Sequence, residues 1–376
     1  MKTFADEYEK INKDETVQSI KNASRNSVES AIAKENLSYR DFLALLSDAA
    51  DEYLDEMAER SKKDTDAYFG KNIQMYIPVY ISNECVNSCL YCGFNAENRI
   101  PRKTLSFDEI KAELEKIKSF GFKNLLILTG EHPGRADAGY IKKAVKAAKK
   151  YFPFVSLEVY PMQESEYKEL VGAGASGITV YQETYDREVY DSVHRAGPKK
   201  NFRYRLETPD RALSAGFRKA GIGALLGLYD YRFEAAMLGA HAAYLMKKYW
   251  RSEISISFPR LRENTSGFKP AEPVTDRQLV KMIFALRIYL KHAGITVSTR
   301  ESAVFRDNMI GYGITMMSAG SKTNPGGYDI YENDKTKKQF DISDSRTTRE
   351  IAGVIRQKGY YPVFKDWSDS FEGVKK

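Results

Sequence analysis

Short apolar or β-branched runs alternate with longer stretches of helical periodicity along most of the chain. From residue 75 the runs are MYIPVYI (75–81), LLILT (125–129), VSLEVY (155–160), GITVY (177–181), GALLGL (223–228), ISISF (254–258), ITVST (295–299) and GITMMS (313–318). Helical stretches are predicted between and around them over 107–120, 137–151, 164–172, 208–220, 233–249 and 276–292. Eight strands alternating with helices predict an α/β fold with a parallel sheet. Right-handed crossovers close such a sheet into a (β/α)8 barrel of TIM type. Residues 1–74 have a different texture, charged and helical. Between 37 and 57, Leu43, Leu45, Leu46, Tyr53 and Leu54 recur near helical spacing, with Ser38 placed to cap. The chain therefore divides into a helical N-terminal extension packed on the barrel (1–74), the barrel (75–320), and a short C-terminal loop and helix extension (321–376).

Composition narrows the partners. The chain of 376 residues is 42% hydrophobic and 29% charged, as in a soluble globular protein. Its formal net charge of +7 is spread out. The basic runs KKAVKAAKK (142–150) and KTKKQ (335–339) carry no interleaved aromatics, so they read as a solvated helix face and a surface loop and not as a nucleic-acid platform. No apolar run approaches membrane-spanning length, and MKTFADEYEK lacks an apolar signal core. The expectation is a cytoplasmic protein with no membrane partner.

The sharpest chemical signal is CVNSCLYC, which holds all three cysteines, Cys85, Cys89 and Cys92. Thiolates bind iron, and a cubane cluster takes one ligand per iron. Three thiolates on four irons leave one iron open, as a catalytic metal site requires. Zinc is the alternative, but a structural zinc site wants four ligands, and the nearest downstream histidine is His132. An odd cysteine count and the absence of a secretory signal argue against a disulfide.

The other polar clusters fall at the predicted strand ends, where a barrel of this type builds its site. TGEHP (129–133) offers a close-approach glycine and Glu131. Glu158, in SLEVYP, is flanked by apolar residues and reads as a structural or an inward carboxylate. VYQETY (180–185) supplies Gln182 and Glu183, and RLETPDR supplies Arg205, with Thr208 and Pro209 opening a helix. GIGALLGLYD (221–230) carries Gly223 and Gly227, in a tight packing motif or a backbone contact to a ligand. Arg300 follows a β-branched strand and should project over the barrel mouth, where it needs an anion: a substrate α-carboxylate, or an internal salt bridge. Ser318 and Ser321, in SAGSKTNPGGY, are candidates for orienting the substrate beside it.

CxxxCxφC, with Tyr91 as its aromatic, resembles the cluster motif of the radical S-adenosylmethionine (radical SAM) enzymes. The resemblance implies a [4Fe-4S] cluster on Cys85, Cys89 and Cys92, whose open iron chelates S-adenosyl-L-methionine. Cleavage of that cofactor then gives methionine and a 5′-deoxyadenosyl radical. It places Glu131 on the SAM amino group, Glu158, Gln182 and Glu183 near the ribose, Arg205 on the SAM carboxylate, and Gly223 and Gly227 against the adenine. The joint set, with SFPRLR, STRES and KDW (365–367), is similar to the aromatic-amino-acid lyase branch, and within it to the 2-iminoacetate synthase (tyrosine lyase) family of thiamine biosynthesis. That resemblance implies L-tyrosine as substrate, with Arg300, Ser318, Ser321 and Tyr91 as the catalytic set. It also implies hydrogen abstraction from the substrate amino group, a flavodoxin-type electron donor, and a thiazole synthase that accepts the imine. The hydrogenase-maturation lyase carries further cysteines in a C-terminal extension, and none follows Cys92 here. A tryptophan lyase on the same barrel stays open.

Overall fold

A computed structural model of the chain describes residues 2–262, 267–331 and 338–365. Eight parallel strands form its centre: β1 (Asn72–Ser82), β2 (Asn124–Thr129), β3 (Phe154–Glu158), β4 (Gly177–Glu183), β5 (Lys219–Ala224), β6 (Glu253–Ser257), β7 (Gly294–Val297) and β8 (Met316–Ser318). They neighbour one another in sequence order from β2 to β8, and β1 pairs with both β8 and β2, so the sheet closes into the expected (β/α)8 barrel. A short β9 (Tyr361–Val363) adds to the N-terminal end of β1.

Five helices precede the barrel: α1 (Phe4–Tyr8), α2 (Lys13–Lys21), α3 (Arg25–Ala33), α4 (Tyr39–Leu45) and α5 (Leu54–Phe69). The outer ring and rim hold α6 (Phe107–Ser119), α7 (Ala138–Lys149), α8 (Glu164–Gly172), α9 (Arg187–Val193), α10 (Phe202–Leu206), α11 (Thr208–Ser214), α12 (Tyr231–Lys248), α13 (Asp276–Tyr289) and α14 (Ala303–Met309). After β8 comes α15 (Thr348–Gln357).

The amphipathic stretch 37–57 is not one helix. Ser38 caps α4 as expected, accepting from Asp41 N at 3.2 Å while Asp41 accepts from Ser38 N at 2.9 Å. The helix ends at Leu45, and the Ser47 hydroxyl turns back onto Ala44 O at 2.7 Å. A 3₁₀ turn, Ala49–Tyr53, then leads into α5. Phe42 of α4 stacks on Tyr289 of α13, with centroids 4.5 Å apart. Gly239 of α12 makes room for it: a Cβ there would lie 2.4 Å from Phe42 Cε1. The N-terminal helices thus pack on the barrel's outer ring.

Strand five departs from expectation. GALLGL (223–228) is mostly loop, and β5 begins at Lys219, inside the stretch expected to be helical. Small residues at its core disguised it. A Cβ on Gly221 would meet Thr179 Oγ1 at 2.6 Å, and one on Gly223 would meet Ser257 O at 2.3 Å and Tyr181 Cδ1 at 2.6 Å. The glycines are there because neighbouring strands fill the lumen. Thr208 is likewise not a cap. It lies inside the first turn of α11, with its hydroxyl on Tyr204 O at 3.0 Å. The lysine-rich run 142–150 lies on α7, which turns Ile141, Ala144, Val145 and Ala148 inward. Of the second basic run only Lys338 and Gln339 lie within the described residues, and of the KDW run only Lys365.

Candidate functional site at the C-terminal rim of the barrel

The cysteine loop leaves the end of β1 and is held from two sides. Ala96 N donates to Asn87 O at 2.9 Å, and Arg102 Nη1 reaches Asn83 O at 2.9 Å. On the other flank Ser88 N donates to Ala196 O at 3.0 Å and Leu90 N to Val193 O at 3.0 Å. Two side-chain amides point at sulfur: Asn87 Nδ2 lies 3.7 Å from Cys85 Sγ, and Gln339 Nε2 lies 3.7 Å from Cys92 Sγ. All three thiols are free. Burial pushes Cys89 up to about 12 and raises Cys92 as well, the latter helped by the charge of Cys85. The two raised thiols, Cys89 and Cys92, would need bound cationic metal to stay ionised. Among the described residues no three His, Cys, Asp or Glu side chains close on a single ion. A cubane fits this donor set, because it takes one thiolate per iron and spreads the sulfurs apart.

Tyr91 packs beneath the loop with Cys89, Val193, Leu225 and Leu228. Its hydroxyl is 2.6 Å from His194 Nε2, and His194 Nδ1 is 2.8 Å from Tyr190 O. The second contact fixes the tautomer: Nδ1 carries the proton and Nε2 accepts from the phenol. Burial, then the Lys199 charge, lower His194 to about 3, so the ring is neutral.

The loop after β2 runs against the cysteine loop. A Cβ on Gly130 would fall 2.2 Å from Glu84 O, so only glycine fits. Val86 N donates to Glu131 O at 2.8 Å, and Asn87 Nδ2 to Glu131 Oε2 at 2.6 Å. Burial raises the Glu131 carboxyl.

At the end of β4, Glu183 adopts φ 75°, a strained conformation for a residue with a side chain. The bulge aims its carboxylate at two cations. Lys199 Nζ donates to Oε1 at 2.7 Å and Arg205 Nη2 reaches it at 3.4 Å, while Arg205 Nε holds Tyr181 O at 2.6 Å. Burial pushes Glu183 up, and Lys199 and Arg205 outweigh it, so the carboxyl stays below its ordinary value. Gln182 points elsewhere: its amide is 3.5 Å from Phe202 O, and its buried Oε1 has no partner among the described residues. Gly223 lies in β5, and Gly227, at φ 113°, packs against Leu261 and Pro270.

A cavity opens at the barrel mouth. Arg300, Glu158, Ser318 and Ser321 are among its polar lining, and Leu126, Leu128, Tyr181 and Phe340 are among its apolar walls. The Arg300 guanidinium lies 3.4 Å from the Phe340 ring centre and forms no salt bridge among the described residues. Ser318 Oγ accepts from Thr299 N at 3.2 Å, and the buried Ser321 hydroxyl has no partner among the described residues. Burial, opposed by Arg300 and reinforced by Glu183, lifts Glu158 to about 7. Tyr80 joins cavity to cysteine loop: its hydroxyl donates to Gln339 Oε1 at 2.7 Å, the same amide that touches Cys92.

The predicted residues therefore form two adjoining groups. Glu131, Glu183 and Arg205 surround the cysteine loop, and Glu158, Arg300, Ser318 and Ser321 line the mouth. Asn87, His194, Lys199 and Gln339 belong to the site and were missed. Asn87 sits at a variable position of the cysteine motif. The others lie in segments with no motif of their own, so nothing local marks them.

Comparison with known proteins identifies related chains. Residues 79–238 match the radical SAM superfamily, and residues 257–361 match the Biotin and Thiamin Synthesis associated domain. The chain is 41% identical over 374 residues to the 2-iminoacetate synthase of Escherichia coli (strain K12), covering 99% of this chain and 98% of the relative. The FeFe-hydrogenase maturase HydG from Carboxydothermus hydrogenoformans superposes with a TM-score of 0.82 at 32% identity, over 96% of this chain and 83% of that one. Methylornithine synthase (PylB) shares the fold, with a TM-score of 0.72 at 20% identity over 92% of this chain and 99% of that one.

Proposed function

The chain belongs to the radical SAM superfamily and, within it, to the 2-iminoacetate synthase family, and from this we infer that it cleaves the Cα–Cβ bond of L-tyrosine to 2-iminoacetate and p-cresol. The observation that carries the reading is the pairing of two features on one rim. A loop with three free thiols is backed by Glu131 and by the Glu183–Lys199–Arg205 cluster, and it adjoins a cavity whose guanidinium has no carboxylate partner among the described residues.

Cys85, Cys89 and Cys92 would hold a [4Fe-4S] cluster, and Asn87 and Gln339 would donate to its sulfur ligands. Bound there, the cluster and S-adenosyl-L-methionine supply a one-electron cleavage that yields a hydrogen-abstracting radical. The chain's own residues bind, orient and shield. Glu131 accepts from the SAM ammonium. Lys199 and Arg205 share the single carboxylate of Glu183, which leaves one positive charge for the SAM carboxylate. Arg300 receives the tyrosine carboxylate, and the Ser321 hydroxyl, unpartnered among the described residues, completes its hydrogen bonding. The aromatic ring occupies the apolar wall, and the surrounding protein keeps water from the radical. Hydrogen leaves the substrate amino group, and the Cα–Cβ bond breaks. A flavodoxin-type protein supplies the electron, a thiazole synthase takes the imine, and the setting is the cytoplasm.

The test is direct. Anaerobically reconstituted, reduced protein is incubated with S-adenosyl-L-methionine and either tyrosine or tryptophan. The expected products from tyrosine are p-cresol, 5′-deoxyadenosine and glyoxylate from hydrolysed imine. Methylindole carboxylate from tryptophan without p-cresol would overturn the substrate, and a colourless zinc protein inert to SAM would overturn the enzyme.

A further inference from the structure

Most buried or half-buried acids around this rim have partners. Glu183 binds Lys199 and Arg205, Glu301 binds Arg260 and Arg262, Asp344 binds Arg306, and Glu131 binds Asn87. Glu158 lacks one. It closes β3 and its register partner is Leu128 of β2, yet no hydrogen bond or salt bridge reaches its carboxylate among the described residues. It lines both the barrel lumen and the mouth cavity that Arg300 also lines.

The tyrosine reading gives that carboxylate a task. A free amino acid arrives as a zwitterion, with carboxylate and ammonium on one carbon. A site for it therefore needs a cation and an anion at one end and an apolar wall at the other. Arg300 and Glu158 are that cation and anion, and Leu126, Leu128 and Phe340 are the wall. Hydrogen abstraction from nitrogen also requires a free amine, because an ammonium has no lone pair to stabilise the radical left behind. We propose that Glu158 is a catalytic base that takes one proton from the substrate ammonium before the radical step. The N–H bond breaks heterolytically, the electron pair stays on nitrogen, an O–H bond forms on Glu158, and no atom changes oxidation state. A carboxyl held near 7 is suited to such an exchange at neutral pH. The charged and titratable groups that face it are Tyr76 and Tyr80 from β1, Tyr181 and Glu183 from β4, and Lys199, Arg205 and Arg300.

This inference rests on tyrosine being the substrate, and one experiment separates the two. Reconstituted holoenzyme and its Glu158→Gln variant are compared for p-cresol formation from pH 6 to 9.5, with SAM and tyrosine affinities measured separately by equilibrium binding. General-base loss is expected to lower kcat/KM at pH 7 by roughly 100-fold or more. The deficit should shrink as pH rises and tyrosine arrives already as the amine, with SAM affinity kept within about threefold. Undiminished turnover by the variant overturns the assignment. So does a loss of SAM affinity with unchanged tyrosine affinity, which would make Glu158 a cofactor contact. A wild-type enzyme that makes no p-cresol overturns the tyrosine reading itself, and this assignment with it. If Glu158→Gln does not fold, Glu158→Asp decides: its shorter carboxylate must shift the acidic limb of the pH profile, and an unmoved limb counts against the base.

Discussion

Lys199 Nζ sits 2.7 Å from Glu183 Oε1, at the one non-glycine residue with positive φ among the described residues. A backbone held out of its comfortable region must be stabilised by what its side chain reaches. Here it reaches Lys199 first and Arg205 second, and the Lys199 ammonium also lies 5.4 Å from the ring centre of Tyr91.

Removing Lys199 should leave Glu183 and Arg205 as a nearly neutral pair. Lys199→Met is expected to weaken SAM binding about tenfold, which corresponds to roughly 1.4 kcal/mol. Equilibrium binding to reconstituted protein reads this, and unchanged SAM affinity would remove Lys199 from the site.

Each cysteine is expected to be indispensable for the cluster. Replacing Cys85, Cys89 or Cys92 singly by Ala should abolish the brown chromophore and SAM cleavage while leaving far-UV circular dichroism intact. The barrel core does not depend on these side chains, since Cys89 packs in a small cluster separate from the main core. Iron and sulfide analysis after reconstitution checks it.

Arg300→Ala should weaken tyrosine by about 2–5 kcal/mol, because it strands a buried carboxylate, and should leave SAM affinity nearly unchanged. Arg300→Lys should recover little, since the planar fork and its stacking on Phe340 are both lost. Equal loss of both ligands would place Arg300 in a structural role instead.

Glu234 of α12 is fully buried, accepting from Thr184 Oγ1 at 2.5 Å and from Tyr185 N at 2.9 Å. Burial lifts its carboxyl from 4.5 to about 8. A raised acid contributes stability that is complete below the unfolded value and is lost as pH rises through the folded one. Wild-type protein should therefore lose on the order of 2 kcal/mol or more relative to Glu234→Gln between pH 4.5 and 8. Glu158 titrates in the same window in both proteins, so their difference isolates Glu234. Parallel curves of thermal stability against pH would refute it.

Arg306 and Asp344 form a salt bridge with side chains 0% and 1% exposed, and Arg306 also donates to Ser318 O. Asp344→Ala is expected to cost about 3–5 kcal/mol by leaving a buried guanidinium unpaired. The double change Arg306→Met with Asp344→Leu should cost much less. Chemical denaturation distinguishes the two.

Much of this site was legible from short range. The cysteine spacing, the Gly130–Glu131 turn and Arg300 after its strand are each set by a few consecutive residues. Helix ends such as Ser38 were readable for the same reason, because a cap is a bond over three residues. Strand five was not, since its glycines answer to Thr179, Tyr181 and Ser257 on neighbouring strands. Nor was the partner of Tyr91, which lies 103 residues away, or the amide that touches Cys92, which lies 247 residues away.

The sequence by itself determined the barrel and the three-thiol loop, because alternation and spacing act along the chain. The tertiary structure decided which charges, among the described residues, are paired and which are free. Lys199 and Arg205 both fall on Glu183, whereas Glu158 and Arg300 both face the open cavity. The physical reason is that a charge takes its meaning from its neighbours in space, and closing the sheet brings together residues that no local pattern connects.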